Sequence, residues 1–114
     1  MPLPGDRRIL FYTDRLIRVY TTPTFDRWFA QIDDTLTAKR IQVRIRRLQL
    51  GNHGDWAPIG EGVAELRIHH GPGYRVYFMP RTTDIIVLLA GGDKSTQPRD
   101  IRTALSLACQ LRET

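Results

Sequence analysis

The chain has 114 residues, of which 41% are hydrophobic and 25% charged, which is enough for one domain with a single modest core. Lysine and arginine outnumber aspartate and glutamate by 17 to 12, and the net charge of +5 favours a polyanionic partner. Cys109 is the sole cysteine, which excludes an intramolecular disulfide and a cysteine-based zinc site. The sequence lacks an apolar run long enough for a membrane span or a signal peptide, so we expect a cytoplasmic protein with no membrane partner.

The first residues divide into an extension and the start of the domain. Residues 1–14 contain two prolines and no readable pattern and are predicted to form an N-terminal extension, while residues 15–114 form the domain. Residues 15–22 read RLIRVYTT and are followed by Pro23, which predicts a short first strand. Thr22 before Pro23 is typical of a helix N-cap with proline at the first helical position.

Two helices are predicted next. The first carries an apolar stripe at helical spacing, formed by Phe25, Trp28, Phe29 and Ile32. The second begins at residues 33–35, where two acids suit a helix N-terminus, and ends near Gly51 or Asn52.

The second helix carries two apolar stripes on roughly opposite sides, one of Ala38, Ile41, Ile45 and Leu48 and the other of Leu36, Val43 and Leu50. One stripe packs on the core, and the other is covered either by the rest of the domain or by a partner. Three bases at helical spacing lie between the stripes, as a solvated face or as an RNA contact: Arg40, Arg44 and Arg47.

Beyond a predicted loop at residues 51–62 the apolar pattern changes to strict alternation. Strands are predicted at residues 63–69, 74–79 and 84–90, the first two joined by a His-Gly-Pro-Gly turn. Residues 85–89 of the third strand are all apolar, so we expect it to be covered on both faces and ended by Gly91-Gly92. With a last helix near residues 98–111, the order predicts an α+β domain. Its sheet is expected to have about four mostly antiparallel strands, with an N-terminal helix pair and a C-terminal helix.

Alternation places a set of polar side chains on one face of the strands at residues 63–69 and 74–79: Glu65, Arg67, His69, Arg75 and Tyr77. Matched faces require Arg67 to lie opposite either Arg75 or Tyr77. Two arginine side chains so near to each other repel unless an anion lies between them. That anion is either Glu65, in a structural network, or an RNA phosphate with an aromatic ring beside it to stack a base.

Residues 91–96 (GGDKST) join the apolar strand to the last helix. Ser95 or Thr96 is expected to cap that helix, and the turn brings Asp93 and Lys94 to the rim of the sheet. The spacing of a nucleotide-binding P-loop is absent. The three histidines have no ligand spacing, so neither a metal nor another cofactor is expected.

Two stretches, RIRRLQLGNHGDWAPIGEGVAELRIHHGPGYRVYF and VLLAGGDKSTQPRDI, resemble the phage-associated addiction-module killer proteins, close to HigB in the RelE/ParE superfamily. The resemblance spans about residues 17–108 and rests on the combined motifs G-N-x-G-D, E-L-R-I, G-P-G-Y-R-V-Y and G-G-D-K-S-T-Q. It implies a RelE-like fold and a toxin that cleaves mRNA on the ribosome without a metal, paired with a helix-turn-helix antitoxin. A ParE-like toxin that inhibits gyrase, with the same fold and no nuclease activity, is the alternative.

The resemblance also implies roles for particular residues. Arg75 matches the sheet arginine that stabilises the transition state, Arg67 lies near a lysine position of RelE, and Lys94 lies near its C-terminal catalytic arginine. No tyrosine follows Tyr77, so the C-terminal tyrosine of RelE has no counterpart. The candidates for proton transfer are Glu65, His69, His70 and Asp93, with His69 favoured because histidine titrates nearest neutral pH. RNA contacts are expected from Arg40, Arg44, Arg47, Tyr74 and Tyr77.

Overall fold

The computed structural model describes residues 16–113, so the predicted extension at residues 1–14 lies outside the described residues. Within this range five strands and three helices follow one another, with a short 3-10 turn at Lys94–Thr96 before the last helix. In chain order they are β1 Arg18–Thr21, α1 Pro23–Ala30, α2 Thr35–Gln49, β2 Trp56–Gly60, β3 Val63–Ile68, β4 Tyr74–Thr82, β5 Ile85–Asp93 and α3 Gln97–Arg112. No helix among these residues is long and apolar enough to cross a membrane.

The strands form one sheet in the order β1-β5-β4-β3-β2. The predicted α+β class, helix pair and C-terminal helix are confirmed, but the predicted sheet of four mostly antiparallel strands is wrong. The sheet has five strands and is mixed, because β1 runs parallel to β5 while the other neighbours are antiparallel. Alternation within a strand carries no information on the direction of its neighbour, which is why the sequence did not predict this pairing.

The fifth strand, β2, lies in the segment predicted to be a loop. Pro58 and Gly60 interrupt its pattern, and it contains a register shift against β3 between these two residues. Proline in a sheet is confined mainly to edge strands, where its missing N–H removes no ladder bond. The edge position of β2 therefore accommodates a sequence that is typical of a loop.

Helices cover both faces of the sheet, so the central strands are buried on each side. α1 and α2 pack on one face, where Phe25, Ile41 and Leu48 contact Leu66 and Phe78 in one core cluster. α3 packs on the other face, where Ala104 and Ala108 join Tyr77 and Leu89 in a second cluster. The prediction that the apolar third strand, β5, is covered on both faces is confirmed.

Thr22 joins the first strand, the first helix and the sheet centre. Its Oγ accepts a hydrogen bond from the Phe25 backbone N–H at 3.1 Å and donates one to the Leu89 carbonyl at 2.6 Å. The predicted N-cap is thus confirmed. Asp34 caps α2 in the same way, accepting from the Thr37 backbone N–H at 3.2 Å.

Gly91 and Gly92 do not end β5, which continues to Asp93. They are packing residues, each at a close approach on one face. A Cβ on Gly91 would lie 2.1 Å from Cε3 of Trp28 in α1, and a Cβ on Gly92 would lie 1.8 Å from Oδ2 of Asp100 in α3. The absence of side chains here lets both helices reach the strand.

We expect Gly91→Ala to lower the free energy of unfolding by about 1–3 kcal/mol, because the added methyl overlaps the Trp28 ring. Urea denaturation measures this difference. Ser106→Ala, at an exposed position of α3, is the control and should leave stability nearly unchanged. Equal midpoints for the two variants would contradict the close approach of α1 to the sheet.

Candidate functional site

The antiparallel pairing of β3 with β4 sets the geometry of the candidate site. Arg67 lies opposite Arg75, and Glu65 lies opposite Tyr77, which is one of the two predicted registers. The face that these residues share is the face on which α3 packs, so it is partly covered and not open throughout.

Glu65 is the anion between the two arginines. Its side chain is 1% exposed, and it accepts hydrogen bonds from Arg67 Nε at 3.0 Å and from Gln97 Nε2 at 2.8 Å. Arg75 Nε lies 3.4 Å from Oε1 of Glu65, the same oxygen that accepts from Gln97. The sequence left two choices for the anion between the arginines, Glu65 or an RNA phosphate. In the structure this anion is Glu65, in a network with both arginines. Glu65 lies out of reach of a substrate, which favours a role in holding the two guanidinium groups.

The pKa of Glu65 reflects this environment. Burial alone would raise it, but the hydrogen bonds from Gln97 and Arg67 and the charge of Arg75 outweigh burial, so the pKa is below its ordinary value. Glu65 is therefore an anion in the folded protein at neutral pH.

Tyr77 is fully buried beside Glu65. Burial raises the pKa of its phenol, and the negative charges of Glu65 and Asp100 raise it further, so Tyr77 stays neutral. An RNA nucleobase cannot stack on the Tyr77 ring, because α3 covers it. Tyr74 lies on the opposite face, half-buried against the α1 and α2 core.

The exposed end of the site lies just after β3. The side chain of His69 is 77% exposed and its Nε2 contacts the carboxylate of Asp55. The other oxygen of Asp55, Oδ1, lies 3.6 Å from Arg67 NH1. The hydrogen bond with the His69 ring, helped by the charge of Arg67, lowers the pKa of Asp55 and keeps it ionised. A carboxylate, an imidazole and a guanidinium therefore meet at the solvent.

Asp55 was missed by sequence reasoning. It lies in the segment predicted to be a loop, and it reaches the site because β2 pairs with β3, Trp56 opposite Leu66. Its carbonyl also accepts the Arg67 backbone N–H at 2.9 Å. The aspartate of the G-N-x-G-D motif was the available signal.

Arg75 and Lys94 lie at the rim where β4 begins and β5 ends. The Arg75 side chain is 15% exposed, and its NH1 lies 3.4 Å from the Gly73 carbonyl. Lys94 is exposed and follows β5 directly, with its Cβ 3.8 Å from where a Cβ on Gly73 would be. The structure therefore brings the predicted Lys94 to the turn that precedes Arg75.

The two remaining candidates for proton transfer have local partners. Asp93 caps the 3-10 turn, and its hydrogen bonds with Ser95, first from the hydroxyl and then from the backbone N–H, lower its pKa. His70 Nε2 lies 3.1 Å from Thr37 Oγ, and its ring stacks on Tyr74 at a centroid distance of 6.5 Å. Of the predicted candidates, His69 is the most accessible to a substrate.

The basic residues of α2 divide into two kinds. Arg44 NH2 donates to the carbonyls of His53, Asp55 and Arg67 at 3.1–3.2 Å and so ties α2 to the segment before β2. Arg40 and Arg47 are exposed, and they border a groove of about 580 Å³ that Asp55 and His69 also line. Arg44 thus acts as a structural clamp, while its neighbours remain available to an anion.

Among residues 16–113, no group of three His, Cys, Asp or Glu side chains is arranged to hold a metal ion. The site consists of the Glu65-centred arginine pair, the exposed trio of Asp55, Arg67 and His69, and Lys94 at the rim.

The fold and the site define a small, basic α+β protein with cations gathered at one end of its sheet. The chain belongs to the family described as phage-derived Gp49-like proteins (DUF891), which matches residues 27–112, and this family belongs to the RelE/HigB-like toxin clan. The chain is also 45% identical over 95 residues to an uncharacterized protein of Haemophilus influenzae, a match that covers 83% of this chain and 96% of that protein. No solved structure matches the chain. The expected relation to the RelE/ParE toxins is therefore confirmed at the level of the clan, and such a family implies an antitoxin partner in general.

We expect Glu65→Gln to lower the free energy of unfolding at pH 7 by about 1.5–3 kcal/mol, since it removes the anion that two arginines share. The pKa of Glu65 is lower in the folded than in the unfolded chain, so its contribution is present above the ordinary value of 4.5 and is lost as the pH falls below it. The variant should therefore lose less stability than the wild type between about pH 5 and pH 3.

The matched control for this prediction is Glu61→Gln. Glu61 is 63% exposed and pairs with Arg112 at 3.7 Å on the surface, where an ion pair contributes little. Urea titrations at several pH values measure both variants. Identical pH profiles for Glu65→Gln and Glu61→Gln would contradict the role assigned to Glu65.

Proposed function

We propose that this protein is the toxin of a type II toxin-antitoxin pair and that it is a metal-independent endoribonuclease acting on mRNA at the ribosome. The observation that carries this proposal is the exposed contact of His69 with Asp55, next to the guanidinium of Arg67. An oriented imidazole can take the proton when the 2′-hydroxyl of RNA attacks its own phosphate, and a fixed cation beside it can stabilise the charge that develops.

The reaction follows from these groups. His69 accepts the proton of the 2′-hydroxyl, and the oxygen attacks the adjacent phosphorus. The bond to the 5′ oxygen breaks, leaving a 2′,3′-cyclic phosphate and a 5′-hydroxyl, and the proton returns from the imidazolium to the departing oxygen directly or through water. Arg67 stabilises the extra negative charge on the phosphoryl oxygens.

Arg67 suits this role because it is both anchored and exposed. Its Nε is held by Glu65 at 3.0 Å, while the side chain is 38% exposed. A guanidinium that is fixed before the substrate arrives needs little reorganisation in the transition state. Glu65 and Asp55 are thus positioning residues, and Arg67 and His69 act on the substrate.

The remaining bases extend the positive surface to neighbouring nucleotides. Lys94 is exposed at the rim next to Arg75, and Arg40 and Arg47 border the groove that reaches His69. With a net charge of +5, the protein suits a polyanionic surface such as ribosomal RNA. In this proposal Arg75 binds phosphate at the rim, and Arg44 and Tyr77 support the site without contacting RNA.

We expect His69→Ala to slow cleavage of mRNA in a ribosome-programmed assay by about 10²–10⁴-fold, because it removes the general base. Arg67→Ala should slow it by about 10²–10³-fold through loss of charge stabilisation. Primer extension locates the cuts, and the cyclic phosphate is detected by its resistance to a phosphatase specific for monoesters. His53→Ala removes another exposed histidine and should keep the wild-type rate.

Thermal unfolding of each variant separates loss of activity from loss of fold. Because His69 is mostly exposed, His69→Ala should unfold at the wild-type temperature. Intact mRNA in the presence of wild-type protein would reject the proposal. Double-strand breaks in DNA on induction, with mRNA preserved, would instead indicate inhibition of gyrase.

A further inference from the structure

Helix α2 carries an uncovered apolar stripe on its outer side, which is the second of the two stripes seen in the sequence. Leu36, Val43 and Leu50 are 52%, 47% and 61% exposed, whereas Ile41 and Leu48 on the core side are fully buried. Leu36 and Val43 lie in α2 and Leu50 is its C-cap residue, so the three exposed residues follow one another at seven-residue intervals over about 21 Å of helix. Large aliphatic side chains arranged in this way are typical of an interaction surface.

The flanks of this stripe are strongly basic. Residues 35–51 contain five bases and no acid. Arg40 and Arg47 follow Leu36 and Val43 by four positions and so lie beside them on the helix surface. Among the described residues, no ion pair involves Lys39, Arg40 or Arg47. The stripe therefore combines aliphatic side chains with positive charge that no ion pair within residues 16–113 neutralises.

We infer that this stripe is a docking surface for an acidic amphipathic helix of a partner protein. Such a helix would place aliphatic side chains at heptad spacing on Leu36, Val43 and Leu50 and acidic side chains beside Arg40 and Arg47. A second copy of this chain would bring two basic flanks together and is disfavoured by repulsion. RNA would neutralise the arginines but would leave the aliphatic line in water.

The apolar stripe borders the groove that leads to His69, so a helix docked on it would affect access to the candidate site. Leu36 and Val43 line the same groove as Asp55 and His69. A helix on the stripe would fill the groove and keep RNA from His69, so the partner acts as an antitoxin by direct exclusion. This blocking step rests on the proposed nuclease function, whereas the docking itself does not.

The test uses a labelled synthetic peptide about three heptads long, with leucine at every seventh position and glutamates beside it, against the full-length protein. Fluorescence anisotropy measures the Kd at low and high salt. We expect binding that weakens with salt, a rise in Kd of at least about tenfold for Leu36→Ser with Val43→Ser, and a smaller salt dependence for Arg40→Gln with Arg47→Gln. Tyr20→Ser, at another exposed hydrophobic residue that is 52% exposed, should bind as the wild type does.

Three results would overturn the docking surface. The first is a Kd that the double serine variant leaves unchanged, and the second is equal binding of a matched peptide with serine in place of each leucine. The third is a concentration-dependent dimer, seen by sedimentation, that Val43→Ser abolishes, since that assigns the stripe to a second copy.

If the peptide binds and cleavage of mRNA continues, the blocking step alone fails. If the peptide binds to a protein that never cleaves mRNA, the docking stands and the proposed function fails.

Discussion

The buried carboxylate of Glu65 is the interaction on which the candidate site depends. The register of β3 and β4 places Arg67 opposite Arg75, and two guanidinium groups in that relation would repel each other without an anion. Glu65 contacts both and also accepts from Gln97 at the start of α3. The same anion therefore fixes two strands, the last helix and the direction of Arg67, and the site inherits its geometry from the fold.

The cations of this protein are sorted by what they contact. Arg44 is bound by three carbonyls and so mainly holds the structure together, whereas Arg75 contacts Glu65 and keeps 15% of its side chain exposed at the rim. Arg67 combines both properties, because Glu65 holds its Nε while 38% of its side chain is exposed. Arg40 and Arg47 face solvent. The positive net charge thus comes partly from arginines that stabilise the fold and partly from arginines that face solvent. The composition alone does not show which arginine belongs to which group.

Much of the fold was predictable because local chemistry decides it. The alternation of β3 and β4 limited their register to two choices. The Thr22-Pro23 cap marked the start of α1, and the two acids at residues 33–34 marked the start of α2. The missed features depend on contacts between distant segments. β2 was hidden by Pro58 and Gly60, and the parallel pairing of β1 has no local signal. For the same reason the polar face could be predicted, but not that α3 would cover Tyr77 or that Asp55 would reach His69.

The missing side chain at Gly92 governs the position of Lys94. The volume that a Cβ there would occupy is filled by the Asp100 carboxylate, which accepts a hydrogen bond from Thr96, and the Thr96 hydroxyl in turn accepts the Asp93 backbone N–H at 3.2 Å. These contacts fasten the segment carrying Lys94 to the first turn of α3. Any side chain at position 92 would have to displace Asp100, and the cation at the rim would move with it. Gly92, which has no functional group of its own, thereby helps to hold Lys94 at the rim of the sheet.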